Sequence, residues 1–256
     1  MFPLPNSADH WRLSANFIPI LVIFLVTGGA LFTGVLYARI GVFAFIVAGW
    51  VVSLCLHEAA HALVAYWGGD KSVLGKGYLS LDPLAYANPM MSFGLPILFL
   101  LMGGIGLPGG AVYIDRIVLK NKHWDSFVAA AGPLANLLFL LVLSVPFLLG
   151  LPGMAGPPIF WAAIAFLAAL QASAIVLNLL PIPGLDGFGI IRPYLPYHLQ
   201  ALTARAAPIL GLLLVFMFLS NSFGAAIWNA VSAITGALGI DPILVYGGYQ
   251  LFHFWR

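Results

Sequence analysis

An apolar run from Val51 to Trp67 is interrupted by His57, Glu58 and His61, which read His57-Glu58-Ala59-Ala60-His61. This H-E-x-x-H spacing constrains the chain more than any other feature. On an α-helix, residues four apart lie one above the other on the same face, so both imidazoles can reach one metal ion. Glu58 sits one residue further round, placed to act on a water molecule rather than to bind the metal. The setting is unusual for such a motif. From Gly41 to Leu56 the same stretch is apolar enough to lie in a bilayer, where an ionisable residue marks a functional site by default.

Composition supports that setting. Of 256 residues, 62% are hydrophobic and 7% charged, against roughly a quarter charged in a soluble domain. With a mean hydropathy of +1.04, this excludes a soluble globular fold and indicates an all-α polytopic membrane protein. A net charge of +2, with no basic run, gives no footprint for nucleic acid. Cys55 is the only cysteine, so there is neither a disulfide framework nor a thiolate metal site. It reads as a small hydrophobe on a buried helix. Met1 to Asn16 carries one Arg and no small-residue cleavage site after a short apolar core, so no cleavable leader is expected. Glu58 is the only glutamate in the chain, and it lies inside the H-E-x-x-H.

Five or six transmembrane helices are expected. Phe17 to Leu36 is a first span, Ile40 to Trp67 a second that Gly68-Gly69 stops, Ser126 to Leu149 a third and Ile159 to Leu180 a fourth. Ala206 to Ser220 and the weaker Phe223 to Ile240 follow, and the aromatic tail from Asp241 to Arg256 suits a membrane interface. Within the polar stretch Asp70 to Asn88, Tyr78 to Leu81 alternates weakly and suggests a short β element. Met90 to Leu107 is apolar but heavily broken by Pro96 and by a series of glycines. No repeat and no appended soluble domain is visible. The whole of 1–256 reads as one membrane-embedded domain, with a core at 40–200 and one or more C-terminal helices at 201–256.

Two histidines do not complete a catalytic zinc site, which needs a third protein ligand and one open position. His10, His123, His198 and His253 lie outside the spans and read as surface or interfacial residues. Asp186 stands out among the acids. It follows a span end in the sequence Asn178-Leu179-Leu180-Pro181-Ile182-Pro183-Gly184-Leu185-Asp186, whose prolines and glycine would unwind the helix and turn the carboxylate back. Asp186 can meet His57 and His61 only if the two helix ends face one side, and that requires Met90 to Leu107 to dip into the membrane and return. Its proline and glycine content favours this, since irregular backbone at membrane depth survives where protein or a wet cavity surrounds it. Charge gives an independent check. With a re-entrant segment, Arg12, Lys71, Lys76, Arg116, Lys120, Lys122, Arg192 and Arg205 fall on the histidine side and only Arg39 clearly on the other. The positive-inside rule then puts the site toward the cytoplasm.

His57 to His61, Gly132-Pro133-Leu134-Ala135-Asn136 and Asn178 to Gly187, in that order, resemble the motifs of the site-2 proteases. These are intramembrane zinc metalloproteases of peptidase family M50, active in regulated intramembrane proteolysis. The resemblance spans about residues 45 to 195. It implies one catalytic Zn2+ held by His57, His61 and Asp186, with Glu58 activating water. It also implies that Asn136 and Asn178 help to hold the substrate, a transmembrane segment of another protein. The polar loop is similar to that of compact members without PDZ or CBS domains, with departures. Tyr86 and Asn88 stand where the family carries His and Asp, and Leu185-Asp186-Gly187-Phe188 stands for L-D-G-G. These departures leave the implied ligands intact and bear on substrate preference.

The chemistry so implied is peptide hydrolysis at membrane depth, with Glu58 moving a proton from the attacking water to the leaving amine. A re-entrant strand near Met90 to Gly110 could pair with an unwound substrate. The rival reading from another class is a transporter of metal ions or protons using the His/Glu/Asp cluster. A relay of that kind does not require the single glutamate at the second motif position. The bland alternative for His57, Glu58 and His61, a polar helix face satisfied by neighbouring helices, is the weaker reading.

Overall fold

The computed structural model describes residues 12–36, 39–86, 100, 112–218 and 221–255. Its helices are α1 (Phe17–Phe32), α2 (Arg39–Gly68), α3 (Ser72–Gly75), α4 (Lys122–Leu148), α5 (Pro158–Asn178), α6 (Asp186–Ile191), α7 (Tyr197–Phe218), α8 (Asn221–Ala237) and α9 (Pro242–Phe252). Among the described residues, three helices, α2, α4 and α5, are long and apolar enough to cross a membrane. At 16 and 17 residues, α1 and α8 fall short of the roughly 20 that a bilayer core asks of an untilted helix.

The helix α5 sits at the centre. From Trp161 to Ala174 every side chain is buried, among α2, α4, α8 and α9. A helix apolar all round has no solvent face to present, and its place is the core. The aromatic tail is part of that packing. Asp241 caps α9 by accepting from the Ile243 amide at 2.8 Å, and Gly248 lies against the Ala162 carbonyl so closely that any Cβ would collide. By contrast α4 has two faces. Val128, Gly132, Asn136, Leu140 and Leu143 point inward, while Leu134, Leu138, Leu141, Val142 and Val145 are exposed.

The expected β element after α2 does not form. Among the described residues there is no strand, and Tyr78–Ser80 makes a single 3₁₀ turn. Gly77 and Leu81 on either side take left-handed φ of 73° and 58°, which ends any extended run within three residues. The Ser80 hydroxyl donates back to the Gly77 carbonyl at 2.7 Å, and the buried Tyr78 ring stacks on Tyr86. The weak alternation reflects one anchored ring rather than a pleat.

The polar end of α2 is laced to the start of α4. Lys120 N–H donates to the Gly68 carbonyl at 2.9 Å, and Gly69, with φ of 125°, rests so close to the Val118 carbonyl that a side chain would not fit. Asp70 is buried and accepts from the Ser72 and Asp115 amides at 2.9 and 2.8 Å. The re-entrant reading of Met90 to Leu107 and the strand near Met90 to Gly110 lie outside the described residues. That reading requires the C-terminal ends of α2 and α5 on one side of the bundle. They are: Asp186, just beyond α5, reaches both histidines of α2. In the C-terminal region, α7 begins at Tyr197, nine residues before the apolar run at Ala206. Its first turns are polar and escape a search for apolar stretches.

Candidate metal centre

The histidines project from one face of α2 and are buried, as is Glu58 between them. Their Nε2 atoms are 3.0 Å apart. Asp186 closes the triangle: Oδ2 is 3.2 Å from His57 Nε2 and Oδ1 is 3.4 Å from His61 Nε2. With a rise of about 1.5 Å per residue, His61 and His57 sit about 10 and 16 Å in from the Gly68 end of α2.

Several devices bring the carboxylate there. After Asn178, Pro181 and Pro183 cannot continue a helix, and Gly184 takes φ of 104°. Gly187 then packs on the end of α5, where a Cβ would collide with the Leu179 and Leu180 carbonyls. From the other side, α6 docks on α4. Gly189 faces Ala129, and Ser126 Oγ donates to the Ile190 carbonyl at 2.7 Å. Asp125, in the first turn of α4, accepts from Arg192 at 2.5 Å and also from Arg116. One buried carboxylate thus ties the end of α6 to the segment entering α4.

The other ring nitrogens are held from behind. His61 Nδ1 donates to the Val128 carbonyl at 2.6 Å, and His57 Nδ1 lies 2.5 Å from Asn136 Oδ1. A carbonyl can only accept, so the His61 proton is on Nδ1 and the lone pair of Nε2 faces the triangle. The Gly-Pro pair of α4 makes room for this. Pro133 supplies no N–H for the Ala129 carbonyl, one residue beyond the Val128 carbonyl that receives the imidazole. At Gly132 a Cβ would run into Nε2 of both histidines.

These residues fit a zinc ion. Three acceptor atoms face one another, and the buried Asp186 Oδ2 has no hydrogen-bond donor among the described residues. Ligand atoms about 2.0–2.1 Å from a tetrahedral zinc lie roughly 3.3 Å apart, which is the spacing of the triangle. Two imidazole nitrogens and one carboxylate oxygen form a catalytic donor set with one position open. His57, His61 and Asp186 lie close enough to bind a metal ion.

A cavity of about 370 Å³ opens in front of the triangle. Glu58 lines it, accepting from the Val112 amide at 3.3 Å, and so do Asn178, Phe188, Arg116 and Arg192. Asn136 behaves differently from Asn178. It is not on the cavity wall, and its amide is engaged by His57, Ser53 and Gln171. Of the departures in the loop, Tyr86 is buried and donates to the Cys55 carbonyl at 3.2 Å; burial pushes its hydroxyl pKa up, so it stays a neutral donor. Asn88 lies outside the described residues. Cys55 is buried, as expected of a small hydrophobe. His253 is no surface residue, since it is buried with Nε2 3.2 Å from the Leu100 carbonyl. Sequence reading overlooked Ser53 and Gln171. Both are polar residues inside apolar helices, and that was the available signal.

Comparison with known proteins agrees with the geometry. The chain is 42% identical over 219 residues to the "Putative zinc metalloprotease Rip2" of Mycolicibacterium smegmatis, covering 84% of this chain and 82% of that protein. It is 43% identical to the Mycobacterium tuberculosis H37Rv protein of the same name, covering 85% and 83%. It is 28% identical to the "Putative zinc metalloprotease YwhC" of Bacillus subtilis, covering 82% and 93%. No family model and no solved structure matches the chain. The converging ligand set and these relatives together assign it: the chain belongs to the site-2 protease family and is a zinc metalloprotease.

Proposed function

We propose that this enzyme hydrolyses peptide bonds within or beside transmembrane segments of other membrane proteins, as one membrane domain of five to six spans. The observation that supports this most is the depth of the triangle, some two to three turns inside an apolar helix long enough to cross a bilayer. A scissile bond that reaches it has left water for an apolar surrounding. The exposed apolar stripe of α4 suits contact with lipid.

In this reading His57, His61 and Asp186 hold the ion and Glu58 is the catalytic base. Zinc, when bound, supplies a Lewis acid that polarises the scissile carbonyl and acidifies water. Glu58 takes the proton of the attacking water and returns it to the departing amine nitrogen. Its carboxylate is aimed by the Val112 amide, so that it faces the cavity rather than the bundle. Asn178, on the cavity wall, offers an amide to the backbone of an unwound substrate. Phe188 replaces a glycine of the family pattern with a ring that narrows the same wall and bears on substrate choice.

The cell membrane is the proposed location, with the site toward the cytoplasm. Lys71, Lys120, Arg116 and Arg192 gather around the Gly68 end of α2, and Arg39 lies at its other end. The positive-inside rule turns the first group inward. The test is purification in detergent, metal analysis, and cleavage of a membrane-helix substrate by wild type and Glu58→Gln. Loss of a general base slows the reaction by about 10²–10⁴-fold, with zinc content unchanged. A variant that keeps zinc and cuts at the wild-type rate overturns the reading.

A further inference from the structure

Behind His57 lies a buried polar cluster that the reaction itself does not use. Ser53 of α2, Asn136 of α4 and Gln171 of α5 meet at the centre of the bundle, none more than 3% exposed. Asn136 Nδ2 donates to Ser53 Oγ at 2.8 Å and to Gln171 Oε1 at 3.0 Å, and the Ser53 hydroxyl donates to the same Gln171 oxygen. Both amide protons of Asn136 are thereby engaged, and its carbonyl oxygen is left facing His57 Nδ1.

We infer that Ser53, Asn136 and Gln171 form a relay that fixes the His57 tautomer required for metal binding, which makes Gln171 and Ser53 positioning residues of the zinc site. The inference rests on the metal reading above. The direction of the hydrogen bonds is what matters. An Asn136 carbonyl facing Nδ1 keeps the His57 proton on Nδ1 and leaves the Nε2 lone pair toward Asp186 and His61. Reversing both amides would aim Asn136 Nδ2 at Nδ1 and force the proton onto Nε2, the atom that must carry none. His61 needs no such help, because the Val128 carbonyl can only accept. An amide has a donor end as well as an acceptor end, so His57 depends on whatever holds Asn136 in place. Gln171 does this through one oxygen, while its own Nε2 is buried without a partner among the described residues. In apolar surroundings an unmade hydrogen bond is expensive, and no water stands by to replace it.

The test is zinc affinity of the full chain in detergent, by competition with a chelator of known affinity. Gln171→Leu frees Asn136 to turn, and zinc affinity is expected to fall about 10–100-fold. Adding Asn136→Asp to Gln171→Leu is expected to restore affinity. A carboxylate has only acceptors, so it holds the Nδ1 proton without needing Gln171, and the Ser53 hydroxyl can donate to it. Ser173→Ala is the control. That buried hydroxyl lies two residues from Gln171 and, among the described residues, bonds the Leu170 carbonyl of its own helix; its loss is expected to leave zinc affinity unchanged. If Gln171→Leu does not fold, Ser53→Ala carries the same test, with an expected loss of about tenfold. Equal zinc affinity in Gln171→Leu and wild type overturns the relay alone, as does failure of the Asn136→Asp rescue. Wild type that takes up no zinc overturns the metal reading and the relay with it.

Discussion

Behind the triangle of His57, His61 and Asp186, the side chains of Ser53, Asn136 and Gln171 are buried and bonded to one another. In front of it, a cavity of about 370 Å³ is walled by Glu58, Asn178, Phe188 and two arginines. The back is made of neutral groups contributed by three long helices, whereas the front combines Glu58 of α2 and the end of α5 with arginines and irregular pieces that lie beyond helix ends. The difference separates two tasks. Groups behind the ligands are fixed before any substrate arrives, which preorganises the nitrogen lone pairs. Groups in front must leave room for a polypeptide and touch it only in passing. A variant at the back should therefore change zinc retention, and one at the front should change turnover or substrate affinity.

Gly132 stands where the two sides meet and gives the largest effect. A Cβ there collides with Nε2 of both histidines. Overpacking of this kind costs about 1–3 kcal/mol, or roughly five- to 150-fold in an equilibrium constant. Gly132→Ala is expected to lose zinc affinity on that scale, read by chelator competition, while the helical circular-dichroism signal stays as in wild type. Unchanged affinity would mean that the imidazoles can move aside, and that the back of the site is not the fixed scaffold described.

How much of this was legible beforehand follows the same division. The long spans are set by apolar length, and α2, α4 and α5 begin and end within a few residues of the runs that announce them. The candidate site was legible because each of its residues breaks a local rule: His57, Glu58 and His61 are ionisable residues in an apolar helix, and Asp186 follows a Pro-Gly helix stop. What could not be read was pairing between helices. Nothing in the apolar run of α5 says that Gln171 faces Ser53, since that depends on rotations set by packing. The loop was misread because period-two alternation over four residues occurs as easily around one buried ring as in a strand. Asn136 and Asn178 looked alike as motif asparagines. Their positions, one midway along α4 and one ending α5, place them on opposite sides of the ligands.

Asp125 tests whether the front is held as firmly as the back. Its carboxylate receives Arg192 at 2.5 Å and Arg116, joining α6, which carries Asp186, to α4. Charge-assisted hydrogen bonds contribute about 1.5–3 kcal/mol, and the Arg116 side chain is 42% exposed, so solvent reduces its share. Asp125→Asn is expected to weaken zinc binding by about tenfold, corresponding to about 1.4 kcal/mol, and to lower the thermal midpoint. Lost turnover with zinc affinity intact would instead make the arginine pair a substrate contact.

The smallest effect separates the two asparagines most cleanly. Asn178 is buried at the end of α5 and lines the cavity, and the hydrogen bonds to the imidazoles among the described residues come from Asn136 and Val128 rather than from Asn178. Asn178→Ala is expected to raise KM by about two- to tenfold, the equivalent of one hydrogen bond of about 0.5–1.5 kcal/mol, with zinc affinity unchanged. Asn136→Ala is expected to do the reverse, releasing zinc while KM of the metal-loaded fraction holds. Both are read from steady-state cleavage of a membrane-helix peptide alongside chelator competition. If Asn178→Ala sheds zinc as readily as Asn136→Ala, the cavity wall also supports the ligands, and front and back are one structure rather than two.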